Sequence, residues 1–225
     1  MWAPRDQSCW TVQSCFRLFL LLGWVSIAPG LMAADQPRGT VELYEDFEAG
    51  IMPPSGWVLE TTNVDHTWEI TDIDPQSGSY AAFVDRDPDP FGVQFEMLMS
   101  PELALSEATL VFWSRSDIYW CRSPLNNCEL FVWIVLGEPG GGDDLYVGKA
   151  DDDWLGTDVW SQSVFDVTPL ISGLGVPYRI GLEYVAWDDR AAIALDEIRV
   201  LGIQAGIFSD GFESGDSSAW SDTIP

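Results

Sequence analysis

The chain has 225 residues, 47% of them hydrophobic and 20% charged, which is enough for one medium domain with a single sizeable core. It carries 36 Asp and Glu against 10 Lys and Arg, a net charge of −26. Such a surface repels polyanions and attracts divalent cations, so nucleic acid and anionic membranes are excluded as partners.

The first 34 residues have the pattern of a secretory signal. Arg5 and Arg17 lie before or at the start of a short apolar run over residues 18–27, and Pro29-Gly30 follows it. The run is about half as long as a membrane span requires. We therefore predict a cleaved signal over residues 1–34 and a secreted or cell-surface protein with no transmembrane segment in the mature chain. A retained N-terminal anchor is the alternative.

Two cysteines remain after removal of the signal, Cys121 and Cys128, which are seven positions apart. In an exported protein such a pair predicts one disulfide that closes the loop between them. A zinc site would need more ligands than this pair and His66, the only histidine of the chain.

Short apolar or alternating segments follow one another along the chain after a polar linker over residues 35–42. The first strand ends near Phe47, and residues 67–71 and 79–84 are predicted to form a hairpin. Further strands are predicted over residues 91–99, 110–114, 129–136, 145–147, 159–167, 178–187 and 191–201.

Several of these strands have a predicted place in the fold. The strands at 110–114 and 129–136 are the most apolar and are expected in the middle of their sheets, and 178–187 and 191–201 are expected to pair as a closing hairpin. About ten strands without a helix-length segment predict an all-β fold over residues 43–203, a two-sheet antiparallel jelly-roll β-sandwich.

The C-terminal residues 204–225 are mostly small and polar. Within them Asp210–Gly215 with Trp220 resembles Asp46–Gly50 with Trp57 near the first strand. A flexible tail is one interpretation. A tail that is bound by a sorting or surface-display system, or that docks as an added strand, is the other.

A set of motifs in a fixed order runs through the predicted sandwich. They are Asp46-Phe47-Glu48-Ala49-Gly50, Gly56-Trp57, Trp68, Ser77-Gly78-Ser79-Tyr80-Ala81-Ala82, Leu98-Met99-Ser100-Pro101-Glu102-Leu103, Thr109-Leu110-Val111-Phe112 and Ala194-Leu195-Asp196-Glu197-Ile198. In this order the chain resembles the bacterial choice-of-anchor J domains, relatives of the cleaved-adhesin and MAM-type jelly rolls. Residues 208–221 resemble a short C-terminal tail of exported proteobacterial proteins.

The resemblance implies an extracellular jelly roll that binds a glycan or a protein, and a structural calcium where an acid of the first strand meets one of the last. On this chain those acids are Glu48 and Asp196, with Asp65 as a third candidate ligand. Calcium takes six to eight oxygen ligands, and loop carbonyls would supply the rest. The alternative is that these acids lie in water at strand ends.

Tyr119 and Trp120 lie beside the predicted disulfide, where a braced aromatic pair could stack on a sugar ring or anchor a partner protein. Packing of this loop against its own sheet is the alternative. Trp68, Trp113 and Trp133 are expected in the core.

Catalysis finds little support in the sequence. A Ser or Cys triad needs a histidine base and His66 lies in no such motif. We therefore predict an exported, monomeric, non-catalytic binding or adhesion module. A carbohydrate-active accessory module or hydrolase acting on extracellular glycans is the alternative, because two carboxylates suffice for glycoside hydrolysis.

Overall fold

The fold is taken from a computed structural model that describes residues 40–87, 93–122, 127–138, 142–187 and 192–204. Eleven strands form two sheets in this part of the chain. The predicted signal over residues 1–34 and all but the first residue of the predicted tail over residues 204–225 lie outside the described residues, and that first residue, Gln204, ends a strand.

The larger sheet has six strands, with β1 paired to β11 beside the path β3-β4-β11-β6-β9. Its strands are β1 (Thr40–Glu45), β3 (Trp68–Thr71), β4 (Ala81–Val84), β6 (Leu105–Ser116), β9 (Ser161–Asp166) and β11 (Ile193–Gln204). β1 begins at Thr40, so residues 40–42, which were predicted as linker, are strand, and residues 35–39 lie outside the described residues.

The smaller sheet has five strands in the order β2-β5-β10-β7-β8. They are β2 (Val58–Thr61), β5 (Val93–Met99), β7 (Cys128–Leu136), β8 (Leu145–Lys149) and β10 (Tyr178–Trp187). All strand pairs in both sheets are antiparallel, and the predicted all-β two-sheet jelly-roll sandwich is confirmed.

One side of every central strand faces the other sheet. Fully buried side chains from the six-stranded sheet, such as Phe112 and Leu195, belong to one cluster with Val132 and Leu182 of the five-stranded sheet. Alternation at period two therefore places every second residue of these strands in the core and its neighbours on an outer face.

The predicted closing hairpin is wrong. β10 pairs with β5 and β7, whereas β11 pairs with β1, β4 and β6 in the opposite sheet. Two consecutive amphipathic strands carry the same alternation whether they pair with each other or cross between sheets. The apolar pattern alone could not separate the two arrangements.

The chain also crosses between the sheets from β6 to β7, and the disulfide lies at this crossing. Cys121 ends the one-turn helix α1 (Ile118–Cys121), Cys128 begins β7, and the two form the predicted disulfide with a Cα–Cα distance of 4.3 Å. Asp117 caps α1 by accepting a hydrogen bond from the Tyr119 N–H. A second one-turn helix, α2 (Thr168–Ile171), precedes β10.

The first and last strands of the domain lie side by side, as predicted. β1 pairs with the C-terminal half of β11, where Glu45 lies opposite Ile198, and β4 pairs with the N-terminal half. A bulge between Asp196 and Arg199 separates the two halves, and Glu197 within it has a left-handed φ of 50°. Among the described residues, no helix has the length and hydrophobicity that crossing a membrane requires.

Candidate functional site

Glu48 and Asp196, the two acids predicted to meet, both bind the loop between β3 and β4. Asp196 Oδ2 accepts the backbone N–H groups of Gln76 (3.0 Å) and Ser77 (3.1 Å). Glu48 Oε1 accepts those of Ser79 (2.7 Å) and Tyr80 (2.9 Å). An acid that follows the first strand and an acid of the last strand thus converge on one loop.

Their surroundings differ in exposure. Asp196 is fully buried, and burial raises the pKa of its carboxyl, although the N–H groups of Ser77, Glu197 and Gln76 act in the opposite direction. Glu48 is exposed, and a Cβ at Gly78, whose φ is +62°, would collide with its carboxylate. Glycine at position 78 therefore lets the loop approach Glu48 closely.

The geometry gives Glu48 and Asp196 a role as backbone anchors. Asp65 is exposed and its own N–H donates to Asn63 Oδ1. In the part of the chain that the structure describes, no three His, Cys, Asp or Glu side chains form a group that could hold a metal ion. Calcium binding by Glu48, Asp196 and Asp65 stays a prediction, and the side chains alone do not fit a three-carboxylate site.

The loop over residues 72–80, which we call the covering loop, lies on the outer face of the six-stranded sheet. Arg115 donates to the Ile73 carbonyl (2.9 Å) and pairs with Asp74 (3.2 Å). The Arg115 guanidinium also lies 5.1 Å from the ring centre of Trp160, whose Nε1–H donates to the Asp74 carbonyl. Arg115 and Trp160 on this face thus hold the covering loop in place.

The outer face of the five-stranded sheet carries aromatic side chains that are exposed or half-buried. Phe131, Trp133 and Tyr146 form what we call the aromatic cluster, with ring centres 5.4 Å apart for Trp133 and Tyr146 and 6.1 Å apart for the other two pairs. Tyr146 is 50% exposed. The ammonium of Lys149 lies 5.0 Å from the ring centre of Phe131 and pairs with Glu129.

Next to the aromatic cluster, a groove of about 270 Å³ opens on the same face. This acidic groove is lined by Glu60, Thr61, Thr62, Phe95, Met97, Gly142, Asp144 and Glu183. Glu183 joins the groove to the cluster, because its Oε2 accepts the Trp133 Nε1–H at 2.8 Å. Burial, with the nearby charges of Glu60 and Asp144, raises the pKa of Glu183.

This face was not predicted from the sequence, and the predicted place of Trp133 in the core is wrong. Trp133 and Trp113 are only half-buried and lie on outer faces, whereas Trp68 is in the core as predicted. The missed signal lies within β7, where Leu130, Val132 and Ile134 alternate with Glu129, Phe131 and Trp133. The strand β7, which was predicted to be uniformly apolar, thus has an aliphatic side and an aromatic side that includes an acid.

The pair beside the disulfide is divided between core and surface. Trp120 packs against the hydrophobic core, and Tyr119 is 51% exposed. Their rings meet edge to face with centres 5.0 Å apart, so they do not form one flat platform. A ligand-binding role for Tyr119 and Trp120 stays a prediction, and the packing of Trp120 is in line with the alternative given above.

No family model matches the sequence, and no curated protein matches it either. Solved structures do share its fold. The K2 cleaved adhesin domain of Lys-gingipain has a TM-score of 0.51 at 14% identity, with 70% of this chain and 98% of that one covered. For the K3 domain of Lys-gingipain from Porphyromonas gingivalis W83 the TM-score is 0.50 at 17% identity, with 72% and 100% covered.

A carbohydrate-binding module of the β-sandwich superfamily, from a study of promiscuous specificity, has a TM-score of 0.50 at 16% identity. The match covers 73% of this chain and 62% of that one. The fold is that of the cleaved-adhesin and carbohydrate-binding β-sandwiches. At these identities the likeness concerns the fold alone, so the choice-of-anchor J assignment stays a prediction.

Proposed function

We propose that this protein is an exported, non-catalytic module that binds a glycan on the outer face of its five-stranded sheet. The observation that carries the proposal is the aromatic cluster of Phe131, Trp133 and Tyr146 beside the acidic groove. Aromatic rings supply apolar surface for the C–H faces of a sugar ring, while carboxylates and hydroxyls along a groove accept and donate hydrogen bonds to sugar hydroxyls.

The arrangement of Trp133 is suited to this role. Its indole N–H is bound by Glu183, so the ring is held in one orientation before any ligand arrives. Tyr146 stands edge-on to it with an interplanar angle of 65°, which makes a corner rather than a flat surface. A preorganised ring loses little conformational freedom on binding, and this favours affinity.

The shared fold supports the proposal, since one of the similar structures is a carbohydrate-binding module and others are adhesin domains. Export is supported by the signal-like residues 1–34 and by the disulfide, which persists in oxidising compartments. An adhesive role at the cell surface would follow from binding glycans there.

Affinity electrophoresis of the full-length protein against galactan, xylan and a panel of other soluble polysaccharides tests the proposal. We expect at least one polysaccharide to retard the wild type, and Trp133→Ala to weaken that binding about ten-fold or more. Trp113→Ala is the matched control, because Trp113 is also half-buried on an outer face but belongs to the other sheet. Equal retardation of both variants would contradict the proposed face.

A glycan hydrolase is the second candidate, and one observation favours it. Glu183 has a raised pKa and shares its groove with Glu60 and Asp144, and a protonated carboxyl near a carboxylate is what glycoside hydrolysis needs. Release of reducing ends from the bound polysaccharide, lost in Glu183→Gln, would identify an enzyme. Binding without such release would leave the non-catalytic module.

A further inference from the structure

Negative charges predominate around the proposed binding face, and this indicates which class of glycan it binds. Three carboxylates line the acidic groove, those of Glu60, Asp144 and Glu183. Two of them have hydrogen bonds from neutral donors: Asp144 Oδ1 accepts the Leu136 N–H (3.2 Å), and Glu183 Oε2 accepts the Trp133 indole N–H. None of the three belongs to an ion pair among the described residues.

The cations of the same sheet already have anionic partners. Lys149 pairs with Glu129 above the Phe131 ring. Arg179 pairs with Glu102 and donates to the Ser100 carbonyl. Neither is placed to bind a carboxylate or sulfate on a sugar without first losing its own partner, and such a group would also face the three acids of the groove.

An ammonium group matches this arrangement better than a metal ion does. A metal needs ligands that converge on one point, and no group of three such side chains occurs within the described ranges. An ammonium has three N–H donors that separate carboxylates can accept, and it is attracted to the face of an aromatic ring. Glu183 supplies the carboxylate where groove and aromatic cluster meet.

We infer that the glycan bound by this face carries free amino groups, as in a polymer of glucosamine, with the sugar rings on the aromatic cluster and an ammonium in the acidic groove beside Glu183. The inference rests on the proposed glycan-binding function and adds the chemical class of the ligand. It predicts that N-acetylation of the same sugar weakens binding, because an acetamide is neutral and has one N–H in place of three.

Calorimetric titration of the full-length protein at pH 6 tests the inference with glucosamine hexamer and N-acetylglucosamine hexamer. We expect the glucosamine hexamer to bind about ten-fold more tightly, and Glu183→Gln to remove most of that difference. Glu107→Gln is the matched control, since it removes one exposed negative charge from β6 in the other sheet. It should leave the preference unchanged.

Other outcomes would overturn the inference in distinguishable ways. Equal loss in Glu183→Gln and Glu107→Gln would mean that the bulk negative charge attracts the hexamer. Equally tight binding of hexalysine, with the same loss in Glu183→Gln, would mean that the groove selects ammonium groups without the sugar. Binding of a neutral glycan through Trp133 with no preference for the amino sugar would leave only the proposed function, and no binding to any glycan would remove both.

Discussion

The outer face of the six-stranded sheet is covered by a loop of the same chain, whereas the aromatic cluster and acidic groove on the five-stranded sheet remain accessible. Both faces carry half-buried tryptophans, cations and acids. On the first, Arg115 and Trp160 hold the covering loop, and Asp196 is fully buried beneath it. On the second, Tyr146 stays 50% exposed.

The difference shows that residue type alone does not mark a binding surface. An Arg over a Trp ring on the covered face is part of an internal contact that fixes a loop. On the open face Trp133 donates to Glu183 and is only half-buried, with no loop held over it in the described part of the chain. The covering loop makes this difference, because its backbone N–H groups bind Asp196 beneath it, whereas no described loop binds Glu183 on the other face in this way.

The largest expected effect comes from removing the main anchor of the covering loop. Asp196→Ala leaves the N–H groups of Gln76, Ser77 and Glu197 without their acceptor in a buried place. We expect a loss of about 2–4 kcal/mol in the free energy of unfolding. That loss corresponds to a fall of about 5–15 °C in melting temperature.

Asp196→Asn is the control for this change, because an amide oxygen can still accept these hydrogen bonds and brings no buried charge. We expect it to stay within about 1 kcal/mol of the wild type in urea denaturation. Glycan binding on the opposite face should survive in both variants. A melting temperature in Asp196→Ala equal to that of the wild type would show that the loop is held by other contacts.

Removal of the disulfide should have the next largest effect. The double variant Cys121→Ala, Cys128→Ala opens a short loop at the crossing between the sheets, and we expect a loss of about 2 kcal/mol, because the unfolded chain gains freedom. Urea denaturation of the variant, compared with reduced wild type, measures this. We expect glycan binding on the open face to survive, because the disulfide lies at the end of the sandwich. Full loss of that binding at a temperature where the variant and the wild type are both folded would contradict this expectation.

A smaller effect is expected from pH, and it compares the two faces directly. Burial raises the pKa values of Asp196 on the covered face and Glu183 on the open face. A carboxyl whose folded pKa lies above its unfolded value binds a proton earlier in the folded state. Stability therefore rises as pH falls from neutral through the raised pKa, and this gain is complete below the unfolded value near 4.

Melting curves between pH 7.5 and 4.5 measure this rise. Asp196→Asn and Glu183→Gln should each remove part of it, and the two reductions should add, because the residues lie on opposite outer faces. A flat profile in the wild type, or a fall in stability over this range, would contradict the assigned directions.

The smallest expected effect is that of Glu48→Ala, since Glu48 is exposed and its hydrogen bonds to Ser79 and Tyr80 compete with water. We expect a loss of about 1 kcal/mol. The same experiment tests the predicted calcium site, with melting temperatures measured in calcium and after chelation. A calcium-dependent rise that Glu48→Ala abolishes would support the site, and equal values in both conditions would remove it.

Much of the fold is determined by the sequence itself. Alternating apolar residues locate most strands, β10 at its observed bounds and β7 to within one residue, and the two cysteines outside the predicted signal form the predicted disulfide. The resemblance carried by the motifs from Asp46 to Ile198 also implied that the first strand meets the last, and the pairing of β1 with β11 confirms this. The positions of the strands are encoded locally, in the period of side chains along a strand and in the chemistry of turns.

Only the tertiary structure decides which sheet each strand joins and which outer face stays open. β10 and β11 enter opposite sheets although they follow one another in sequence, and Trp133 points away from the core although it lies in an apolar run. Both depend on hydrogen bonds and packing between distant segments, such as those of Asp196 with Gln76 and Ser77. A covered face and an open one can therefore arise from strands with the same pattern.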